Sequence, residues 1–193
     1  VFVHDFGLSA TFLGKPDMGL ITLSEMTVII DKIVKAVELP VVADGGCGFG
    51  NPLNTYRTVE EFESIGAAGV NLEDQAYPKR CGHLAGKEII SAEEMIEKIQ
   101  AACDARKDRD FVIVARTDAI AIDGVDEAIR RGNAYARAGA DMIFVEAPES
   151  KEDIGRIVKS LEAPSWVNMV EGGKTPLVPF DELQKMGAAL VDY

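Results

Sequence analysis

Apolar residues along the chain fall into short continuous runs that alternate with longer stretches where they recur every three or four positions. These are the periods of a buried strand and of an amphipathic helix. A polar or glycine-rich loop follows each run, and a small residue turns each helix back into the next, which is the repeat of a βα unit. Thr22 and Glu25 have capping-box spacing, and Met26, Ile29, Ile30, Ile33, Val34 and Val37 then share one helical face before Pro40 ends it. Ser91 and Glu94 repeat the spacing ahead of Met95, Ile96, Ile99, Ala102 and Cys103, which makes Cys103 a core residue. Val125, Ala128, Ile129, Tyr135 and Ala136 form a third face, and Ser150 caps a further helix. Gly69, Gly139 and Gly187 stand where helices turn into strands, positions where left-handed or tightly packed backbone favours glycine.

The runs Val1–His4, Val41–Ala43, Val70–Glu73, Phe111–Arg116, Met142–Glu146, Trp166–Asn168 and Leu190–Asp192 predict seven parallel strands in a single domain over residues 1–193. That is one short of the eight of a closed (β/α)8 TIM barrel, and the missing strand is expected ahead of Val1. A doubly wound open sheet shares the same alternation. The barrel is favoured because polar residues end nearly every strand: Asp44, Glu73, Arg116, Glu146 and Asn168 would converge on one rim, as a barrel's active face requires.

Composition narrows the partners. A chain of 193 residues that is 47% hydrophobic and 27% charged is ordinary for a globular protein with one core. Lys and Arg are outnumbered 20 to 32, a net charge of −12, which argues against nucleic acid or an anionic membrane as partner. An anionic substrate would then need a local cluster of cations or a metal. Cys47, Cys81 and Cys103 form no C-x-x-C pair and are odd in number, so neither a disulfide framework nor a zinc knuckle is indicated and a reducing cytoplasm fits. No apolar run approaches the roughly 18 residues of a membrane helix.

Two loops carry the chemistry. Asp44 opens the run Gly45-Gly46-Cys47-Gly48-Phe49-Gly50-Asn51, which lacks the Gly-Lys-Ser/Thr of a P-loop, so its aspartate reads either as a solvated turn residue or, with Glu73 at the next strand end, as a hard oxygen ligand for Mg2+. The second loop, residues 72–87, gathers acid, base and nucleophile types. Cys81, flanked by Lys79, Arg80 and His83, sits in an electropositive setting that favours a thiolate or proton transfer over an inert buried thiol.

Lys79-Arg80-Cys81-Gly82-His83 resembles the signature of the isocitrate lyase / phosphoenolpyruvate mutase superfamily. The likeness continues in order through Leu13-Gly14-Lys15-Pro16-Asp17, Thr22-Leu23-Ser24-Glu25, Leu72-Glu73-Asp74-Gln75, Ala115-Arg116-Thr117-Asp118-Ala119, Ala138-Gly139-Ala140-Asp141 and Asn168-Met169-Val170-Glu171-Gly172-Gly173-Lys174-Thr175-Pro176. The branches it most resembles are 2,3-dimethylmalate lyase, methylisocitrate lyase, petal death protein and carboxyvinyl-carboxyphosphonate phosphorylmutase. The resemblance implies cleavage of a 2-hydroxy di- or tricarboxylate to a 2-oxo acid such as pyruvate and a second carboxylic acid. It implies Mg2+, or Mn2+ in its stead, bound directly by Asp44 with Asp17 and Glu73 holding its waters. Arg116 would pair with a substrate carboxylate, and Cys81 would protonate the departing carbanion, tuned by Lys79 and His83. Gly82, Glu146, Asn168 and the backbone around Phe6, Gly7 and Leu8 would line the pocket. A homotetramer of helix-swapped dimers is implied for the full-length protein, with C-terminal helices beyond Tyr193.

The chain departs from the family in two places. Gly46 and Cys47 stand where an aspartate and a threonine are usual, which predicts weakened but surviving metal binding, and Phe6 precedes Gly7 where the mutase and methylisocitrate lyase branches carry serine, an aromatic being compatible with the petal death and dimethylmalate branches. Two other readings therefore stay open: an enzyme acting on P–C bonds, and a silent member that only binds a ligand or partner.

Overall fold

The computed structural model describes residues 1–82 and 86–193. Seven strands form one sheet in the order of the sequence, every neighbouring pair parallel: β1 Phe2–Val3, β2 Val42–Asp44, β3 Gly69–Glu73, β4 Val112–Thr117, β5 Met142–Val145, β6 Ser165–Asn168 and β7 Leu190–Asp192. The helices are α1 Asp5–Leu8, running into a π-helical turn at Ser9–Leu13, α2 Leu23–Ala36, α3 Pro52–Ser64, α4 Ala92–Ala105, α5 Ile120–Ala138, α6 Lys151–Ser160 and α7 Phe180–Met186. The sheet curls into a nearly closed TIM barrel. The ring of Phe2 in β1 meets Trp166 in β6 at 4.7 Å between centroids, a contact an open sheet of this order could not make.

Residues alternate between two cores along each strand. Outward residues such as Ile113, Ala115, Val70, Leu72 and Ile143 pack against the helix ring, while Phe2, Val42, Val112, Val114, Met142, Phe144, Trp166 and Leu190 fill the barrel axis. The strands are buried on both faces, as parallel sheets require. The helix caps follow the sequence: Thr22 and Glu25 close a full capping box on α2, and the Ser91 and Ser150 hydroxyls accept from the N–H of Glu94 and Asp153.

Three details differ from the sequence pattern. Val37 is the exposed C-cap of α2 and leaves the apolar face. The left-handed turn before β3 is at Gly66, whereas Gly69 lies inside the strand, where an added Cβ would sit 2.6 Å from the Val112 carbonyl oxygen. Helix α5 is broken at Gly124, so the Val125 face belongs only to its second part. Among the described residues no helix is long and apolar enough to cross a membrane.

Candidate active site

Strand parity aims the site. Asp44, Arg116, Glu146, Asn168 and Asp192 each lie two residues beyond an axis-facing apolar residue (Val42, Val114, Phe144, Trp166 and Leu190), so all five point up the barrel axis at the C-terminal rim. They line one cavity of about 450 Å³ together with His4, Asp5, Phe6, Gly7, Asp17, Lys79, Cys81 and Gly82. Glu73 stands just behind it, fully buried. Leu8 packs against the helix-side core and does not line the cavity. His83 lies outside the described residues.

One half of the rim is acidic. The Lys79 ammonium pairs with Asp5 and, at 2.9 Å, with Asp17 Oδ2, so the lysine expected to tune Cys81 is committed to two carboxylates. Asp44 accepts from the backbone N–H of Gly46 at 3.0 Å and of Asp5 at 3.3 Å. Burial opposes its ionisation, but the Lys79 charge and the Gly46 N–H outweigh that and hold Asp44 below the usual carboxylate range. Burial and the adjacent Asp44 push Asp5 well above it. Burial likewise carries Glu73 up to about 7 against the pull of Lys79 and Arg116. Its Oε1 accepts from the Cys47 thiol at 3.8 Å, and Cys47, also pushed up by burial, is a neutral filler behind the site.

The other half is built around Arg116. Its guanidinium donates to Asp118 through Nε at 2.9 Å and Nη2 at 3.1 Å, lies 3.5 Å from Glu73 and 3.6 Å from Glu146, and stands 5.1 Å above the Phe144 ring. Asp118 also accepts from Lys87 Nζ at 2.7 Å, and Lys87 donates in turn to the Gly82 carbonyl. Against the cost of burial, Arg116 and Lys87 lower Asp118 to about 2. Asp74 anchors this corner from below, accepting from Thr117 Oγ1 and Tyr135 Oη at 2.7 Å each and from the Asp118 N–H at 2.9 Å. The loop after β3 leaves the barrel through an antiparallel bridge between Gln75 and Ile89, and Gln75 clamps Arg80 by two hydrogen bonds, Nε2 to its carbonyl at 2.8 Å and its N–H to Oε1 at 3.0 Å. Cys81 and Gly82 are thereby held against Arg116.

A hard cation suits the acidic half. Among the described residues no three His, Cys, Asp or Glu side chains converge as a ready cage. Mg2+ does not need one, since it keeps several waters and takes one or two carboxylates. The deciding observation is Asp17 Oδ1, which is buried with no hydrogen-bond partner while its other oxygen faces Lys79. A buried carboxylate oxygen left unpaired is costly, and a hydrated cation beside Asp44 would satisfy it.

The sequence profile of the phosphoenolpyruvate phosphomutase family matches residues 6–193. The chain belongs to that family. It is 49% identical over 193 residues to the 2,3-dimethylmalate lyase of Eubacterium barkeri, covering all of this chain and 67% of that protein. It is 47% identical over 193 residues to the petal death protein of Dianthus caryophyllus, covering all of this chain and 61% of that protein. A crystal structure of 2,3-dimethylmalate lyase, a PEP mutase/isocitrate lyase superfamily member, matches with TM-score 0.95 at 35% identity over 98% of this chain and 64% of that one. Phosphonopyruvate hydrolase in complex with oxalate and Mg++ matches with TM-score 0.85 at 34% identity over 100% and 66%. The chain spans between 57% and 67% of the length of the curated relatives it matches.

Within this phosphomutase-family barrel, sequence reasoning missed Asp5, Lys87 and Asp118 as parts of the rim. Asp118 lies in the motif over residues 115–119, whereas Asp5 begins the helix after β1, and the register places His4, not Asp5, opposite Asp44. Lys87 gave no such signal, because its contact with Asp118 spans 31 residues.

Proposed function

We propose that the full-length protein is a Mg2+-dependent carbon–carbon lyase that cleaves a 2-hydroxy di- or tricarboxylate of the 2,3-dimethylmalate or 2-methylisocitrate type into a 2-oxo acid and a second carboxylic acid. The observation that carries this reading is the division of one cavity into a carboxylate-rich half suited to a hard cation and a half holding Arg116 beside Cys81. Arg116, whose Nε and Nη2 are held by Asp118, binds a substrate carboxylate through the Nη1 edge that faces Glu146. As the C2–C3 bond breaks, the 2-hydroxyl gives up its proton to solvent and becomes the carbonyl of the oxo acid, and the bonding pair goes to C3. The Cys81 thiol delivers a proton to C3 to give the second acid, and solvent returns a proton to the thiolate. When bound at Asp44, Mg2+ supplies Lewis-acid stabilisation of the charge on the 2-oxygen and its neighbouring carboxylate. Asn168 and Glu146 orient the substrate, and the exposed ring of Phe6 at the mouth limits its bulk.

A phosphonate substrate is the second reading, supported by the likeness to phosphonopyruvate hydrolase. One assay separates the two: coupled 2-oxo-acid release by the full-length protein, read as pyruvate from 2,3-dimethylmalate and 2-methylisocitrate and as glyoxylate from isocitrate, with and without Mg2+, beside a Cys81→Ala control. Mg2+-dependent turnover of one substrate, lost in the control, is the expected result. No turnover of any of them by folded protein rejects the lyase reading in favour of a phosphonate substrate or a silent binder.

A further inference from the structure

Asp5 is a rim carboxylate that strand parity does not aim inward. It begins α1 directly after β1 and is buried, and its carboxylate nevertheless lines the same cavity as Asp17 and Asp44. It faces Gly46, which has no side chain: a Cβ built there would have a single neighbour within 4 Å, Asp5 Oδ2 at 3.8 Å. The Asp5 carboxylate therefore covers the wall that residue 46 leaves bare. Its backbone N–H meanwhile donates to Asp44 Oδ2 at 3.3 Å, which ties the start of α1 to Asp44.

Charge makes the position unusual. Asp5, Asp17, Asp44 and Glu73 are all buried here, and Lys79 is the cation paired with the first two. Arg116 is drawn to Asp118 and Glu146 as well as to Glu73. A second buried aspartate beside Asp44 is destabilising for a metal-free protein, because each ionised carboxylate raises the cost of the next. It becomes favourable when a divalent cation shares the site. Independently of the cluster, the unpartnered Asp17 Oδ1 points to a ligand in the same space.

We propose that Asp5 is a fourth carboxylate of the cation site, supplying from the first βα junction the oxygen that Gly46 cannot, so that this chain has moved a metal-binding carboxylate from one wall of the site to the other. The inference rests on the metal reading given above. On this account the expected penalty of Gly46 is offset, and metal binding is not impaired by its bare backbone.

The test is Mn2+ binding to the full-length protein followed by electron paramagnetic resonance, which needs no turnover, with a circular-dichroism melt of each variant to confirm folding. Wild type, Asp44→Asn, Asp5→Asn and the exchange variant Asp5→Gly/Gly46→Asp are compared. Asp5→Asn is expected to weaken Mn2+ binding about tenfold or more, and the exchange to restore it to within about threefold of wild type. If Asp5→Asn fails to fold, the exchange variant decides alone, since it removes Asp5 yet must bind. Binding that is lost in Asp44→Asn but unchanged in Asp5→Asn overturns the role of Asp5 and leaves the metal reading standing. Weakening by Asp5→Asn that the exchange does not restore makes Asp5 a counter-ion of Lys79 and also overturns it. Wild type that binds no better than Asp44→Asn overturns the metal reading itself.

Discussion

Adding one methyl group at Gly82 should disable the site without unfolding the barrel. A Cβ at this position would sit 2.3 Å from Arg116 Nη2 and 2.6 Å from both Cγ and Oε1 of Glu146. Ordinary contact needs more than 3 Å, so the guanidinium or the loop must shift by roughly 1 Å. The guanidinium cannot yield easily: Asp118 grips it through two hydrogen bonds and Phe144 lies beneath it. The loop therefore moves, carrying Cys81 with it, away from a substrate still held by Arg116. A misplacement of about 1 Å between a bound substrate and its proton donor costs about a hundredfold in rate, close to 3 kcal/mol in kcat/KM. Gly82 lies on the rim above the packed axis, so the stability loss should stay at the low end of the roughly 1–3 kcal/mol seen for overpacking. The assay is kcat/KM of full-length Gly82→Ala on whichever substrate the wild type turns over, beside a urea melt. A variant that keeps kcat/KM within about threefold of wild type would refute the claim that Gly82 is needed for the approach of Cys81 and Arg116.

Asp118→Asn should destabilise the fold by about 3–5 kcal/mol, because it leaves Lys87 buried without its carboxylate; a shift of the urea midpoint worth less than about 1 kcal/mol would contradict that. In the wild type the folded pKa of Asp118, about 2, lies below its ordinary 3.8, so its contribution of roughly 2 kcal/mol is complete above pH 3.8 and is lost as pH falls toward 2, which acid titration of the melting temperature reads out. Glu73 has the opposite sign. Its folded pKa, about 7 against an ordinary 4.5, means that the folded state holds a proton the unfolded chain releases, so metal-free protein should lose stability, on the order of 3 kcal/mol, as pH rises from 4.5 through 7. Added Mg2+ should flatten that decline, and a melting temperature in EDTA that does not fall across this range would place Glu73 elsewhere in the charge network. Phe144→Ala should cost about 3–5 kcal/mol and also raise KM for the carboxylate substrate, since the ring supports Arg116 as well as filling the axis; loss of stability with unchanged KM would deny the second role.

Much of this architecture was legible because strands and helices impose different periods. The runs ending at Asp44, Glu73 and Arg116 predicted which residues share the rim, and parity then fixes which of them face the axis. Lys79 was not legible in its detail. Sequence adjacency to Cys81 suggested a tuning role, whereas its long side chain reaches Asp17, 62 residues away, because a buried ammonium takes the densest concentration of negative charge within range. Arg131 was hidden for a related reason. It lies on the buried face of α5 and reads as a break in an apolar stripe, yet it donates to Asp74 at 3.3 Å and to the Ile90 carbonyl at 2.9 Å, fastening the base of the loop after β3 to the helix ring. Contacts that depend on the length of a flexible side chain leave no periodic trace.

The net charge of −12 posed a question about anion binding that the rim answers by separation. Carboxylates crowd the side formed by β1, β2 and β3, while Arg116 and Lys87 rise on the side of β4 and the loop before α4. A long-range field from the whole surface would repel a dianion, but it is screened beyond about 8–10 Å at ordinary ionic strength. Within that distance Arg116 and Lys87, each paired with Asp118, leave little net positive charge of their own, and the divalent ion of the proposed function would set the sign. Raising ionic strength should therefore increase the rate at which a carboxylate substrate associates, because screening removes surface repulsion sooner than it weakens the buried Arg116 contact. Stopped-flow or steady-state kcat/KM from about 10 mM to 150 mM salt measures this. A rate that falls steadily with salt would mean that the rim's positive half extends its reach into solvent and steers the substrate in, and the separation argument would fail.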